Sequence, residues 1–209
     1  MLKTAMKQCG LIAILRGIQP HEAAAIGVKL YQAGFRIIEV PLNSPEPFNS
    51  IATLRNTLPA DCMVGAGTVL SVKQIISVKQ AGGEIIVMPH SDANVIAAAK
   101  QAGLVCAPGV ATVTEAFAAL AAGADVLKMF PAEQLGHTVV KAWRAVIPQE
   151  VALLPVGGIT PENLAIFSAA EASGFGLGSA LYQPGMGAEQ VARNASKFVA
   201  AWRATQQKN

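Results

Sequence analysis

Gln101-Ala102-Gly103-Leu104-Val105-Cys106-Ala107 runs from the end of an Ala-rich helical stretch, through a glycine, into a short apolar run. The same join recurs at Gln32-Ala33-Gly34, Gln80-Ala81-Gly82, Ala121-Ala122-Gly123 and Ala172-Ser173-Gly174. A glycine just past a helix adopts the left-handed conformation that other residues reach only at a cost, so each one predicts a helix stop before a strand. The runs that follow are Arg36 to Val40, Met63 to Ala66, Glu84 to Met88, Leu104 to Ala107, Asp125 to Phe130, Val151 to Val156 and Phe175 to Leu177. Leu11 to Leu15 at the front makes eight.

Each run is followed by a loop of Gly, Pro, Asn or Ser and then a helical pattern, so the order is strictly βαβα and the strands are expected to be parallel. Eight units with no hydrophilic linker between halves suit a closed (β/α)8 TIM barrel better than an open doubly wound sheet. The 209 residues are long enough for one well-buried core and short for two, which predicts a single domain over 1–209. In a barrel the chemistry sits at the C-terminal ends of the strands, and that rule selects the residues to weigh.

Composition narrows the possible partners. Apolar residues make up 52% of the chain and charged residues 14%, a surplus of interior that subunit contacts would help to cover. No apolar run approaches the roughly 18 residues of a membrane span. The stretch Leu11 to Leu15 runs straight into Arg16, too short for a signal-peptide core, so a cytoplasmic protein is expected. Cys9, Cys62 and Cys106 are odd in number and form no Cys-x-x-Cys pair, which argues against a disulfide framework or a zinc knuckle. His21, His90 and His137 show no metal-ligand spacing, so no metal is expected. A net charge of +3 without a Lys/Arg block gives no footprint for nucleic acid, yet suits a small anionic ligand.

Lys128 is the first anomaly. It lies inside Val126-Leu127-Lys128-Met129-Phe130-Pro131, and strand alternation puts it on the face of Val126 and Phe130. An ammonium there must find a partner or lose its charge, and the desolvated amine is what a Schiff-base lysine requires. Glu39, in Arg36-Ile37-Ile38-Glu39-Val40-Pro41, is the second; a carboxyl group among apolar neighbours is stabilised in its neutral form and suited to moving protons. A structural salt bridge between the two is the rival reading.

Two glycine-rich turns follow the last two runs, Val156-Gly157-Gly158-Ile159-Thr160-Pro161-Glu162 and Leu177-Gly178-Ser179-Ala180. Each would place small residues before a helix, where backbone N–H groups and the Ser179 hydroxyl could converge on a phosphate. Gly65-Ala66-Gly67-Thr68 lacks the third glycine and the acidic partner of a dinucleotide fingerprint. Thr68 is read instead as a hydrogen-bond donor to a substrate, and Arg16, ending the first run, as a fork donor to a carboxylate or else a surface cation. His90 follows the fourth run and could line the mouth.

Taken together and in this order, Ile14-Leu15-Arg16, Ile38-Glu39-Val40, Gly65-Ala66-Gly67-Thr68-Val69, Leu127-Lys128-Met129-Phe130-Pro131, Gly157-Gly158-Ile159 and Gly178-Ser179 resemble the class I aldolases of 2-keto-3-deoxy-6-phosphogluconate and 2-keto-3-deoxy-6-phosphogalactonate. The resemblance covers nearly the whole chain. It implies a compact (β/α)8 barrel, commonly trimeric and needing no cofactor, in which Lys128 forms the imine, Glu39 moves protons and Thr68 seats the pyruvate moiety. It further implies that Gly157, Gly158, Gly178 and Ser179 hold the phosphate. Where gluconate enzymes often carry Thr-Leu-Arg-Thr, this chain has Pro41-Leu42-Asn43-Ser44, and Val156 stands where they have Thr. Both departures resemble the galactonate enzymes and leave Arg16 to supply the carboxylate-binding cation. Gluconate cleavage, a phosphosugar isomerase or epimerase using Glu39, and a non-catalytic phosphosugar-binding barrel are the competing readings.

Overall fold

A computed structural model describes residues 1–207. Helix α1 (Leu2–Gln8) precedes β1 (Leu11–Ile14), and the chain then alternates through α2 (Pro20–Ala33), β2 (Ile37–Pro41), α3 (Pro47–Thr57), β3 (Met63–Gly67), α4 (Val72–Gln80), β4 (Ile85–Val87) and α5 (Ala93–Gln101). It continues through β5 (Val105–Ala107), β6 (Gly109–Val110), α6 (Val113–Ala121), β7 (Val126–Met129), α7 (Ala132–Arg144), β8 (Ala152–Pro155), α8 (Leu164–Ala169), β9 (Phe175–Leu177) and α9 (Ala188–Gln206).

The helices start where local chemistry starts them. Ser71 with Gln74 and Thr112 with Glu115 form reciprocal capping boxes at α4 and α6, and the Asp92 side chain accepts from the Asn94 and Val95 N–H groups at α5. Such caps are each worth about 0.5–2 kcal/mol. They stop at the expected glycines in four cases: Gly34, Gly82, Gly103 and Gly123 all have positive φ. The fifth differs. After α8 it is Glu171 that turns left-handed, at φ 68, whereas a Cβ on Gly174 would run into the Gly10 carbonyl. Gly174 is there for close approach of two backbones, not to end a helix.

All strand pairs are parallel. They form two arcs, one ordered β5-β4-β3-β2-β1-β9 and the other β6-β7-β8. The expected fifth strand is β5, and beyond Pro108, which has no N–H to give to a ladder, lies the short β6 that the sequence did not announce. Hydrogen bonds nonetheless cross both seams: the Asp125 N–H donates to Cys106 O (3.0 Å), the Lys128 N–H to Pro108 O (2.9 Å) and the Ser173 N–H to Leu153 O (2.9 Å). A parallel bridge pairs Val156 with Gly176.

Strand residues alternate between two buried clusters, as period-two geometry demands when both faces are covered. Ile38, Val40, Val64, Ala66, Ile86, Cys106, Leu127, Met129 and Leu153 pack outward under the helices. Ile12, Ile37, Met63, Ile85, Val87, Ala107, Val126 and Leu154 fill the inner space, where Leu2, Ala5 and Met6 of α1 join them from the N-terminal side of the strands. Continuing the alternation two residues along β2 and β7 from Ile37 and Val126 places Glu39 and Lys128 on the inner face, nearer the C-terminal ends.

Candidate active site

A cavity of about 440 Å³ opens at the C-terminal ends of the strands, and Arg16, Glu39, Thr68, Lys128, Val156, Gly157, Gly158, Gly178 and Ser179 all line it. Residues drawn from six separate stretches of sequence thus meet in one place. His90 is exposed and is not part of the lining; its neighbour Pro89 is.

Glu39 is 2% exposed and Lys128 8%. Among the described residues no ion pair within 4.0 Å joins them, and Glu39 Oε2 is buried without a hydrogen-bond partner. A structural salt bridge is therefore not what holds these groups. Burial pushes the Glu39 carboxyl up to about 7, against the opposing pull of the Lys128 and Arg16 charges. Burial holds the Lys128 amine below the ordinary lysine value; the Glu39 charge raises it again and the Arg16 charge lowers it. Burial thus shifts both groups toward their neutral forms, the direction in which an amine becomes a nucleophile and a carboxyl group a proton donor. The amine lies 4.5 Å from the centroid of the Phe130 ring, whose face favours any positive charge that forms on the nitrogen.

The strand β3 supplies the room. A Cβ on Gly65 would strike Ile85, and one on Gly67 would strike the Glu39 carboxylate. Thr68 next to it holds φ 54, a left-handed conformation rare for a β-branched residue. This strain sets a hydroxyl-bearing residue at the cavity wall.

At the opposite wall Gly157 and Gly158 both have positive φ (103° and 66°), which the Val156-Gly157-Gly158 turn requires and a side chain would resist. The Asn163 side chain braces this turn, donating from Nδ2 to Gly158 O (2.7 Å) and accepting from the Thr160 N–H (2.9 Å). The helix expected after the first glycine turn is α8, which starts at Leu164, but none follows the second turn directly. Gly178 to Tyr182 is a single turn, closed by the Leu181 and Tyr182 N–H groups donating to Gly178 O. Pro184 and Gly185, at φ 86, then interrupt the chain before α9. Among the described residues the Gly158, Ser179 and Ala180 N–H groups meet no protein acceptor. They are free for an anion.

Ile14, Gly17, Thr160, Gly176 and Tyr182 also line the cavity, and the sequence had given none of them a role there. Alternation from Ile12 and Phe175 would have found Ile14 and Gly176. Nothing local marks Gly17 or Tyr182. Among the described residues no cluster of three or more His, Cys, Asp or Glu is placed to hold a metal ion.

The sequence pattern of the family described as KDPG and KHG aldolase matches residues 2–195. A protein of Rhizobium meliloti (strain 1021) described as a probable 2-dehydro-3-deoxy-6-phosphogalactonate aldolase is 47% identical over 192 residues, 92% of this chain and 91% of its own. The 2-dehydro-3-deoxy-6-phosphogalactonate aldolase of Escherichia coli (strain K12) is 45% identical over 193 residues, 92% of this chain and 94% of its own. The solved structure described as native KDPGal superimposes with a TM-score of 0.92 at 45% identity, covering 94% of this chain and 96% of that one. The chain belongs to the KDPG and KHG aldolase family.

Proposed function

We propose that this protein is a class I aldolase that cleaves 2-dehydro-3-deoxy-6-phosphogalactonate to pyruvate and glyceraldehyde 3-phosphate. The observation that carries the reading is the Lys128 amine, buried on the inner face without an ion pair, with burial lowering its proton affinity. Lys128 Nζ attacks the C2 ketone, and Glu39 passes protons as the carbinolamine forms and loses water. The iminium then accepts the electrons of the C3–C4 bond while the C4 hydroxyl gives its proton to Glu39. The aldehyde leaves, the enamine takes a proton at C3, and hydrolysis of the imine releases pyruvate and the free amine.

Arg16 pairs with the substrate carboxylate, Thr68 seats the pyruvate portion, and Gly157, Gly158, Gly178 and Ser179 hold the phosphate, with the Gly158 and Ser179 N–H groups open to it. Val156 is buried at the cavity wall and presents methyl groups there, an apolar surface near the C4 substituents. This favours the galactonate epimer over the gluconate one, as do the names of the two bacterial relatives. Incubation with pyruvate and borohydride should leave a reduced adduct on Lys128 alone, read by peptide mass; no adduct, under conditions that label another class I aldolase, refutes the assignment.

The two arcs of parallel strands, bonded across both seams, support a closed (β/α)8 barrel. The single domain would span 1–209, of which 208–209 lie outside the described residues. Val72, Ile76 and Phe117, exposed on α4 and α6, support assembly into a homotrimer. Three free thiols, all buried, fit a reducing cytoplasm. No helix among the described residues is long and apolar enough to cross a membrane.

A further inference from the structure

Among the described residues Arg16 and Lys128 are the two cationic side chains that line the cavity. Arg16 lies beyond the end of β1, and its Nη1 donates to Asn43 Oδ1 at 2.7 Å. Asn43 belongs to the loop after β2. A second bond joins the same two loops, from the Gly17 N–H to the Ser44 hydroxyl oxygen at 2.9 Å, and Ser44 is 8% exposed. Among the described residues no carboxylate lies within 4.0 Å of the guanidinium. An arginine has five donors, and one of them meets Asn43.

We propose that Asn43 is a positioning residue, which holds the Arg16 guanidinium against the cavity as an un-neutralised cation for the C1 carboxylate of the substrate. This rests on the reading of Arg16 as the carboxylate-binding group and adds what makes that exposed side chain usable. A free arginine loses much rotamer freedom on binding, and a neighbour that fixes the side chain beforehand removes part of that cost. The chemistry of position 43 matters in a particular way. An amide oxygen accepts a hydrogen bond without a full charge, so it orients the guanidinium and leaves its attraction for an anion intact. An aspartate in the same place would orient it and cancel it; an aliphatic residue would do neither. The bond between Gly17 and Ser44 keeps the two loops in register, so that the Asn43 amide meets the Arg16 side chain and not solvent.

Asn43 has a second effect through the same cation. Arg16 sits close enough to Glu39 and Lys128 to lower the proton affinity of both. A substitution that swings or neutralises Arg16 should therefore move the pH profile upward on both limbs, which a merely structural loop residue would not do.

The test uses the full chain and the variants Asn43→Ala and Asn43→Asp. Losing one hydrogen bond to a charged group corresponds to about a tenfold effect or somewhat more. Asn43→Ala should raise KM about tenfold with kcat within about threefold, and Asn43→Asp should raise KM further and shift the pH optimum upward. Borohydride trapping with pyruvate should slow about tenfold in Asn43→Ala, whereas trapping with pyruvamide, which has no carboxylate, should be unchanged. Equal slowing of both compounds, or of neither, overturns the inference. Pyruvate binding to Lys128→Met, followed by NMR titration, separates this outcome from the lyase chemistry. Adding Asn43→Ala to that imine-free protein should weaken binding about tenfold, and an unchanged Kd overturns the positioning role whether or not any imine is ever trapped.

Discussion

Gly67 and Glu39 compete for the same space: the position of a Cβ on Gly67 falls within the Glu39 carboxylate. A backbone position in β3 therefore fixes where the acid group of β2 can sit. The two strands pair in register, Glu39 opposite Gly65 and Pro41 opposite Gly67, so the vacancy lies just past the carboxyl group along the cavity wall.

Gly67→Ala should consequently displace Glu39 while leaving Lys128 in place. The expected result is a fall in kcat of about a hundredfold, the usual scale for losing a general acid-base group. A loss of stability of about 1–3 kcal/mol should accompany it, from one methyl forced into a packed site. Steady-state kinetics beside urea unfolding checks both, and an unimpaired kcat would show that the carboxyl position does not matter.

The raised proton affinity of Glu39 ties stability to pH. In the folded state its carboxyl holds its proton up to about 7, compared with an ordinary value of 4.5. The folded chain then binds more protons than the unfolded one between those values, so stability is fullest below pH 4.5 and falls as pH rises through 7. The loss attributable to this one group is on the order of 3 kcal/mol. Glu39→Gln should abolish that slope and make the protein more stable than the parent at pH 8, by urea unfolding. A parallel pH dependence in the two proteins would contradict it.

Phe130 lies under the Lys128 nitrogen, so replacing its ring tests how much the ring face matters. Phe130→Leu keeps an apolar neighbour but removes the attraction for a cation, worth about 0.5–2 kcal/mol. The iminium should become harder to form, with pyruvate trapping reduced by about three- to thirtyfold. The Lys128 proton affinity should fall further, which would move the basic limb of the trapping-against-pH curve to lower pH.

Val156→Thr exchanges a methyl for a hydroxyl at a buried point of the cavity wall. Because polar and apolar sites treat a substrate hydroxyl differently, the ratio of kcat/KM for the galactonate and gluconate epimers should shift toward gluconate by about tenfold or more. An unchanged ratio would remove Val156 from the determinants of epimer choice.

Much of this architecture could be read from local sequence because local chemistry causes it. Gly34, Gly82, Gly103 and Gly123 end helices by a conformation that depends on the residue alone, and Lys128 and Glu39 stood out because they interrupt apolar strands. What escaped the sequence depends on residues that meet only in three dimensions. Gly174 is small because Gly10 passes beside it, and Gly67 because Glu39 does. Beyond Pro108 the two-residue β6 pairs with β7 where no apolar run announced a strand, and Pro184 with Gly185 keeps the turn after Gly178 from becoming a helix. The bond between Arg16 and Asn43 joins residues 27 positions apart, and no pattern along the chain announces it.

Helix α1 gives the inner space a floor. Leu2, Ala5 and Met6 stop the N-terminal side with hydrocarbon, and the layer of Ile12, Ile37, Met63, Ile85, Val126 and Leu154 lies between that stopper and the reactive amine. The site is a blind well, entered from the rim where the glycine turns stand. A phosphate-bearing fragment held by those turns would sit nearer the opening than a fragment bonded to Lys128, so the shape of the vessel would set an order on product release.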